Sequence, residues 1–231
     1  MFAFLAGMAV FISCGITKQP KTTADMSHTK QEINSMDTAK SPAFIESLLQ
    51  QYPQYFGEIL KNRDAWNVQI IYTQINRRAN GKPDFTNHYF NVNPSKYFYP
   101  ASTVKLPIVL LALQKLNELK DKGIDRNTTM LSETAFSGQT AVFNDPTSPD
   151  GKPSIAHYIK KVLLVSDNDA YNRLYEFLGP QYINSQLQQK GYKDVQSLHR
   201  LQITLSDDEN RHTNPVQFLN ATNGVVYQQP M

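Results

Sequence analysis

Ser102 and Lys105 lie three residues apart at the head of a run, Val104 to Leu113, that is otherwise almost wholly apolar. A helix apolar on every side has no solvent face and belongs inside a protein. Burying a lysine beside a serine costs several kcal/mol unless the pair is used or compensated. Residues i and i+3 share a helix face, so the amine is expected to reach the hydroxyl. Burial also lowers a lysine pKa, and a neutral amine can take a proton from a serine. The chemistry expected of this stretch is an activated serine nucleophile.

Spacing alone proves nothing, because Ser27-His28-Thr29-Lys30 repeats it in a polar tail with no apolar context. A second motif singles out the first pair. Ser166-Asp167-Asn168 stands 64 residues after Ser102, at a break between two helical patterns. A polar turn between helices is the plain alternative for that tripeptide.

The elements that must position these residues can be read in order. Ser41-Pro42 makes an N-cap followed by proline at the first helical position. Phe44, Ile45, Leu48 and Leu49 form one helix face, and Tyr55, Phe56, Ile59 and Leu60 suggest another. Val68 to Ile75 is rich in β-branched and aromatic residues and reads as a strand. Asn80-Gly81 supplies a turn, and His88 to Val92 reads as the returning strand. Two strands leading into a buried helix put Ser102 at a sheet edge and a helix N-terminus, where developing negative charge is favoured. The helix from 104 runs through Leu119 and stops by Gly123. Residues 124–153 read as loops with short helices. Ser154 caps a helix with Ile155, Tyr158, Ile159, Val162 and Leu163 on its apolar face. After the break at 166–168, Ala170, Leu174, Phe177 and Leu178 start another face that Gly179-Pro180 ends. A third helix follows over roughly 181–190.

Composition narrows the function further. The 231 residues carry a net charge of only +3 and no basic block, which gives no footprint for nucleic acid. The five histidines (28, 88, 157, 199 and 212) lack ligand spacing, so neither a metal nor another cofactor is expected. The sole cysteine, Cys14, follows an apolar stretch, Phe2–Ser13, that is short for a membrane span. That pattern reads as a secretory signal. Phe11-Ile12-Ser13-Cys14-Gly15 resembles a lipobox, with Cys14 the lipid-bearing residue; an ordinary cleaved signal is the alternative. Residues 1–14 are thus a lipoprotein-type signal, 15–40 a flexible polar tether and 41–231 the catalytic domain. A monomer at the periplasmic side of the cell envelope, held by a lipid anchor, is expected.

Tyr99-Pro100-Ala101-Ser102-Thr103-Val104-Lys105 together with Ser166-Asp167-Asn168 resembles the class A β-lactamase and penicillin-binding serine hydrolase family over about residues 41–218. The resemblance implies an α/β (α+β) fold, a helical subdomain packed on an antiparallel sheet. It implies that Ser102 attacks a lactam or peptide carbonyl to form an acyl-enzyme. Lys105 would accept its proton or relay it, and Ser166 would pass a proton to the departing nitrogen. Asn168 would hold the substrate amide and help keep Lys105 in place, with Asp167 turned inward to fix the turn. The substrate implied is a β-lactam or a peptidoglycan-like peptide. A D-Ala-D-Ala peptidase, another amidase or esterase, or a non-catalytic envelope-binding lipoprotein are the alternatives.

Two departures bear on turnover. The family carries a Glu soon after an Arg-Leu pair; Arg200-Leu201 is followed by Gln202, and the carboxylates of the stretch come late, at Asp207, Asp208 and Glu209. Glu209 is the candidate deacylation carboxylate, and a solvated acidic turn is the alternative. The family's Lys-Thr-Gly motif is missing from the chain. The expectation is therefore a fragment lacking the later sheet strands.

Overall fold

The computed structural model describes residues 42–231. The signal segment, the tether, Cys14 and the Ser41 cap lie outside the described residues. The chain divides into two units, one ending at Lys96 and one running from Tyr97 to Met231.

In the first unit, α1 (Pro42–Gln50) and α2 (Pro53–Lys61) precede a hairpin of β1 (Ile70–Arg77) and β2 (Pro83–Phe90). Proline opens α2, where its missing N–H costs nothing. Ile45 and Leu49 of α1 are buried against Phe90, with Phe56, Leu60, Val68 and Ile70 packed alongside. The hairpin is antiparallel, in register from Ile70 opposite Phe90 to Arg77 opposite Pro83. Gly81 in its turn takes φ 77°, which glycine adopts without penalty. The returning strand starts at Pro83 rather than His88, because cross-strand pairs carry polar residues the local pattern does not favour. Thr73 donates to Asn87 at 2.7 Å, and Arg78 pairs with Asp84 at 3.1 Å.

The second unit opens with a 3-10 turn, Ala101–Val104, that runs into α3 (Lys105–Glu118). It continues through β3 (Thr129–Ser132), α4 (Ile155–Val165), α5 (Asn168–Leu178), α6 (Pro180–Gln189), α7 (Asp207–Arg211), β4 (Val216–Leu219) and β5 (Val225–Gln229). Every residue of α5 from Ala170 to Leu178 is buried, and the helix packs on α3, α4 and α6. Its Leu174, Phe177 and Leu178 join Ile108, Leu111 and Val162 in one core. Each large apolar side chain so buried contributes about 1.5–3 kcal/mol. Burying Asn172, Arg173 and Glu176 on the same helix is tolerable only if all three are paired. Lys115 of α3 ties the end of α5 down: its Nζ donates to the Phe177 and Leu178 carbonyls and, at 2.7 Å, to Gln229 Oε1 of β5. A cation at a helix C-terminus also answers the helix dipole.

Three expectations are corrected here. The run from Val104 to Leu113 does have a solvent face, because Leu106, Leu110 and Leu113 are exposed. The packed helices cover the side carrying Ile108, Val109, Leu111, Ala112 and Leu116. An apolar run measures capacity for burial, not the presence of something to cover it. Residues 124–153 hold a strand, Thr129–Ser132, with Met130 fully buried; its partner is Val216–Leu219, far along the chain. The sheets also extend past one hairpin, since β3, β4 and β5 form a second, three-stranded antiparallel sheet. Val216 and Phe218 point inward while Gln217 and Leu219 are half-buried, the alternation a one-sided sheet requires.

Candidate active site

Ser102 lies in the 3-10 turn and Lys105 is the first residue of α3. The turn is tied by Thr103, whose backbone N–H and Oγ1 both donate to the Pro100 carbonyl, at 3.1 and 2.6 Å. Ala101, just before Ser102, takes φ 47°, a left-handed conformation that costs a non-glycine residue about 1–2 kcal/mol. Ser102 is exposed, whereas Lys105 is 3% exposed.

The second motif closes on this lysine. Ser166 caps the C-terminus of α4 in the left-handed region, φ 56°. Asp167 caps the N-terminus of α5, its side chain accepting from the Ala170 N–H at 2.8 Å. That is the inward, backbone-bonding role expected of it, and such a cap stabilises by about 0.5–2 kcal/mol. Asp167 also stands 3.6 Å from the Lys161 ammonium. The resulting sharp turn aims three acceptors at Lys105 Nζ: the Ser166 carbonyl, Ser166 Oγ at 3.0 Å and Asn168 Oδ1 at 2.6 Å. Ser166 Oγ in turn donates to Ser102 Oγ at 3.2 Å. Ser102, Lys105, Ser166 and Asn168 are thus brought together in one hydrogen-bonded group. The amine reaches the Ser102 hydroxyl by way of Ser166, rather than directly along the helix face.

Burial lowers the Lys105 pKa, against the opposing pull of the Asp167 carboxylate. Desolvation is the larger effect, so the neutral amine is more accessible than in an exposed lysine.

A fifth side chain completes the group, and sequence reasoning passed over it. Gln202 Oε1 accepts from Asn168 Nδ2 at 2.7 Å. The backbone at Gln202 is left-handed, φ 60°. What presents it is a ladder along one face of α5, at positions 168, 172 and 176. Asn172 clamps Leu201 from both sides, accepting from its N–H at 2.7 Å and donating to its carbonyl at 3.0 Å. Glu176 accepts from Arg200 Nε at 2.9 Å and from Arg173 Nη1 at 3.1 Å. Burial pushes the Glu176 carboxyl up while the two guanidiniums pull it down. Arg200 spends its remaining donors on the Glu209 and His212 carbonyls, at 3.1 and 3.0 Å, and on Asn214 Oδ1 at 3.3 Å. The segment 200–214 is therefore fastened at both ends. The signal for this ladder was the polar spacing Asn168, Asn172, Glu176 on a helix otherwise reading as core.

Glu209 does not take the place expected of it. It forms a capping box at the start of α7 with Ser206, and its other oxygen accepts from Ser137 Oγ at 2.8 Å. The N–H of Ser206 and these hydroxyls hold its carboxyl below the ordinary range. The acidic trio is the first turn of a short helix, where negative charge suits the helix dipole. The carboxylate belongs to the cap, not to the group around Lys105.

Residues 54–227, more than half of the chain, match the family model described as the beta-lactamase enzyme family. The chain belongs to the β-lactamase enzyme family. Its helices and antiparallel sheets are the β-lactamase-like α/β arrangement. No curated protein matches it. Both β-lactamase-type motifs, Ser102-x-x-Lys105 and Ser166-Asp167-Asn168, lie inside the matched region and share one hydrogen-bonded group.

Proposed function

We propose that the chain is a serine hydrolase whose Ser102 forms an acyl-enzyme with a β-lactam amide. The observation that carries this reading is the run Lys105 Nζ–Ser166 Oγ–Ser102 Oγ, at 3.0 and 3.2 Å, ending on an exposed hydroxyl. With Lys105 neutral, Ser102 Oγ passes its proton through Ser166 to the amine as it bonds to the carbonyl carbon. The C–N bond then breaks, and the departing nitrogen takes the proton back through Ser166. The backbone N–H of Ser102, at the head of α3, is a donor for the oxyanion. Asn168 divides its amide between Lys105 and Gln202, and it is the group that holds the substrate's own amide.

A D-Ala-D-Ala peptidase of the penicillin-binding kind is the second reading. It is favoured by the neutral Gln202 in the group, where a lactamase benefits from a base. Attachment to the envelope through Cys14 accords with either reading, since both substrates are met outside the cytoplasm.

The test is covalent labelling. A fluorescent penicillin is expected to label the protein one-to-one, with intact mass raised by the whole penicillin. S102A is expected to take no label while keeping the same thermal unfolding profile. Equal labelling of S102A would sink the assignment.

A further inference from the structure

Asp167 pulls the site in two directions. Its Oδ1 caps α5 on the Ala170 N–H at 2.8 Å, a contact that holds the turn carrying Ser166 and Asn168. Its charge also reaches Lys105, where it opposes burial and favours the ammonium. An ammonium has no lone pair and takes no proton from Ser102. The other partners of Lys105, on Ser166 and Asn168, are neutral. A carboxylate needed for the fold thus stands beside an amine that works only uncharged.

Lys161, on α4, answers that carboxylate. Its Nζ lies 3.6 Å from Asp167 Oδ2 and 3.1 Å from Asp145 Oδ2. Asp145 is buried, and its Oδ1 accepts from the Thr147 N–H and hydroxyl at 3.0 and 2.6 Å. Its backbone N–H donates to the Gly151 carbonyl at 2.9 Å. The ammonium is therefore held where it meets Asp167, with its side chain 21% exposed and so weakly screened by salt. Two further titratable groups face the cluster. His157 Nε2 stands 3.5 Å from Asp145 Oδ2 and 2.9 Å from Thr147 Oγ1. Asp169 acts on Lys161 from α5 but pairs with Arg173 at 2.9 Å.

We propose that Lys161 is a positioning residue for the reaction: it neutralises Asp167, so that this carboxylate caps α5 without holding Lys105 in its charged form. The proposal rests on the acylation reading above. Lys161 touches neither Ser102 nor Lys105, and it acts only through the charge of Asp167. Asp145 serves as the anchor that keeps the ammonium in place.

The experiment reads the pH profile of acylation. Labelling by a fluorescent penicillin is followed by stopped flow for the full chain, Lys161→Met, Asp167→Asn and the double variant. Lys161→Met is expected to raise the midpoint by about one pH unit, the low end of what a neighbouring charge does. The plateau rate at high pH should be kept, and labelling well below the midpoint should be about tenfold slower. Asp167→Asn keeps the cap, since asparagine caps as well as aspartate, and should lower the midpoint. In that background Lys161→Met should leave the midpoint where Asp167→Asn put it, because the charge it answered is gone. Asp145→Asn combined with Lys161→Met strands no buried carboxylate, guards against loss of the fold and carries the same expectation as Lys161→Met. A lower plateau with an unmoved midpoint would reduce Lys161 to a support of α4 and overturn the proposal. An equal shift in both backgrounds would overturn it too, since the effect would then bypass Asp167. In either case a labelled wild type leaves the acylation reading standing. A wild-type chain that takes no label overturns both.

Discussion

Lys105→Met is expected to slow acylation of Ser102 by about 10²–10⁴-fold, the range a positioned proton acceptor supplies. The substitution keeps the length of the side chain and fills the same buried volume, so the loss falls on the amine. The pH dependence identifies the cause. The neutral amine is the competent form, and burial lowers the Lys105 pKa. The acylation rate of the wild type should therefore rise with pH and level off at a midpoint below the ordinary lysine range. Lys105→Met should give a low, flat profile. Stability moves with the same sign. Between the folded-state pKa and the ordinary lysine pKa the unfolded chain binds more protons, so folding stability rises with pH over that window. Lys115, pushed down to about 8 by burial, adds to the same slope. The variant should lose the Lys105 part of the slope and keep the Lys115 part. Stopped-flow labelling across pH, with thermal unfolding in parallel, measures both. An acylation rate within threefold of the wild type at every pH would remove Lys105 from the chemistry.

The second large effect is on stability. Glu176→Ala is expected to destabilise the protein by about 3–5 kcal/mol, because it takes the shared carboxylate from two buried guanidiniums. Arg173 and Arg200 are each only 3% exposed, and Glu176 is the carboxylate they share. Arg173 keeps a second carboxylate, Asp169 at 2.9 Å, and the carbonyl and hydroxyl of Thr140 at 2.8 and 2.6 Å. Arg200 keeps only neutral acceptors and should suffer more. For a chain of this size the loss corresponds to a fall in Tm of roughly 6–20 °C. Glu209→Ala makes the comparison, since it removes a carboxylate from an exposed cap and should cost about 1 kcal/mol. Thermal unfolding by circular dichroism distinguishes them, and similar Tm values for the two variants would rule out the buried network as a keystone.

The hydrogen-bonded group around Lys105 was legible from the sequence because its members sit where local signals are strong. Ser102 and Lys105 begin an apolar helix, and Ser166, Asp167 and Asn168 fill a break whose caps have their own preferences. The direct reach from Lys105 to Ser102 was read from helical spacing, and the turn at 166 redirected it with three acceptors. What was not legible depends on pairing over long separations. Thr129–Ser132 is a strand only because Val216–Leu219 lies beside it. The β4–β5 hairpin had readable signs, alternation at Val216 and Phe218 and a turn around Asn223-Gly224, with Asn223 at φ 62°. Gln202 was hidden for a different reason. A glutamine carries no chemical signature of its own, and its place depends on a polar stripe of α5 that a reading of apolar faces passes over.

The left-handed backbone of Ser166, φ 56°, sets two demands on one residue. Glycine adopts that backbone freely, and for a helix ending alone it would be the natural choice. A serine there concedes about 1–2 kcal/mol of conformational energy. In exchange its Oγ stands between Lys105 and Ser102 and its carbonyl holds the amine. If Ser102 is acylated as proposed, stability and activity are in opposition at this single position. A glycine there would relax the backbone, and its carbonyl could still hold the amine, but the hydroxyl between Lys105 and Ser102 would be gone. On the acylation reading, Ser166→Gly is expected to leave the protein as stable or more so while slowing labelling of Ser102, the two measurements moving in opposite directions.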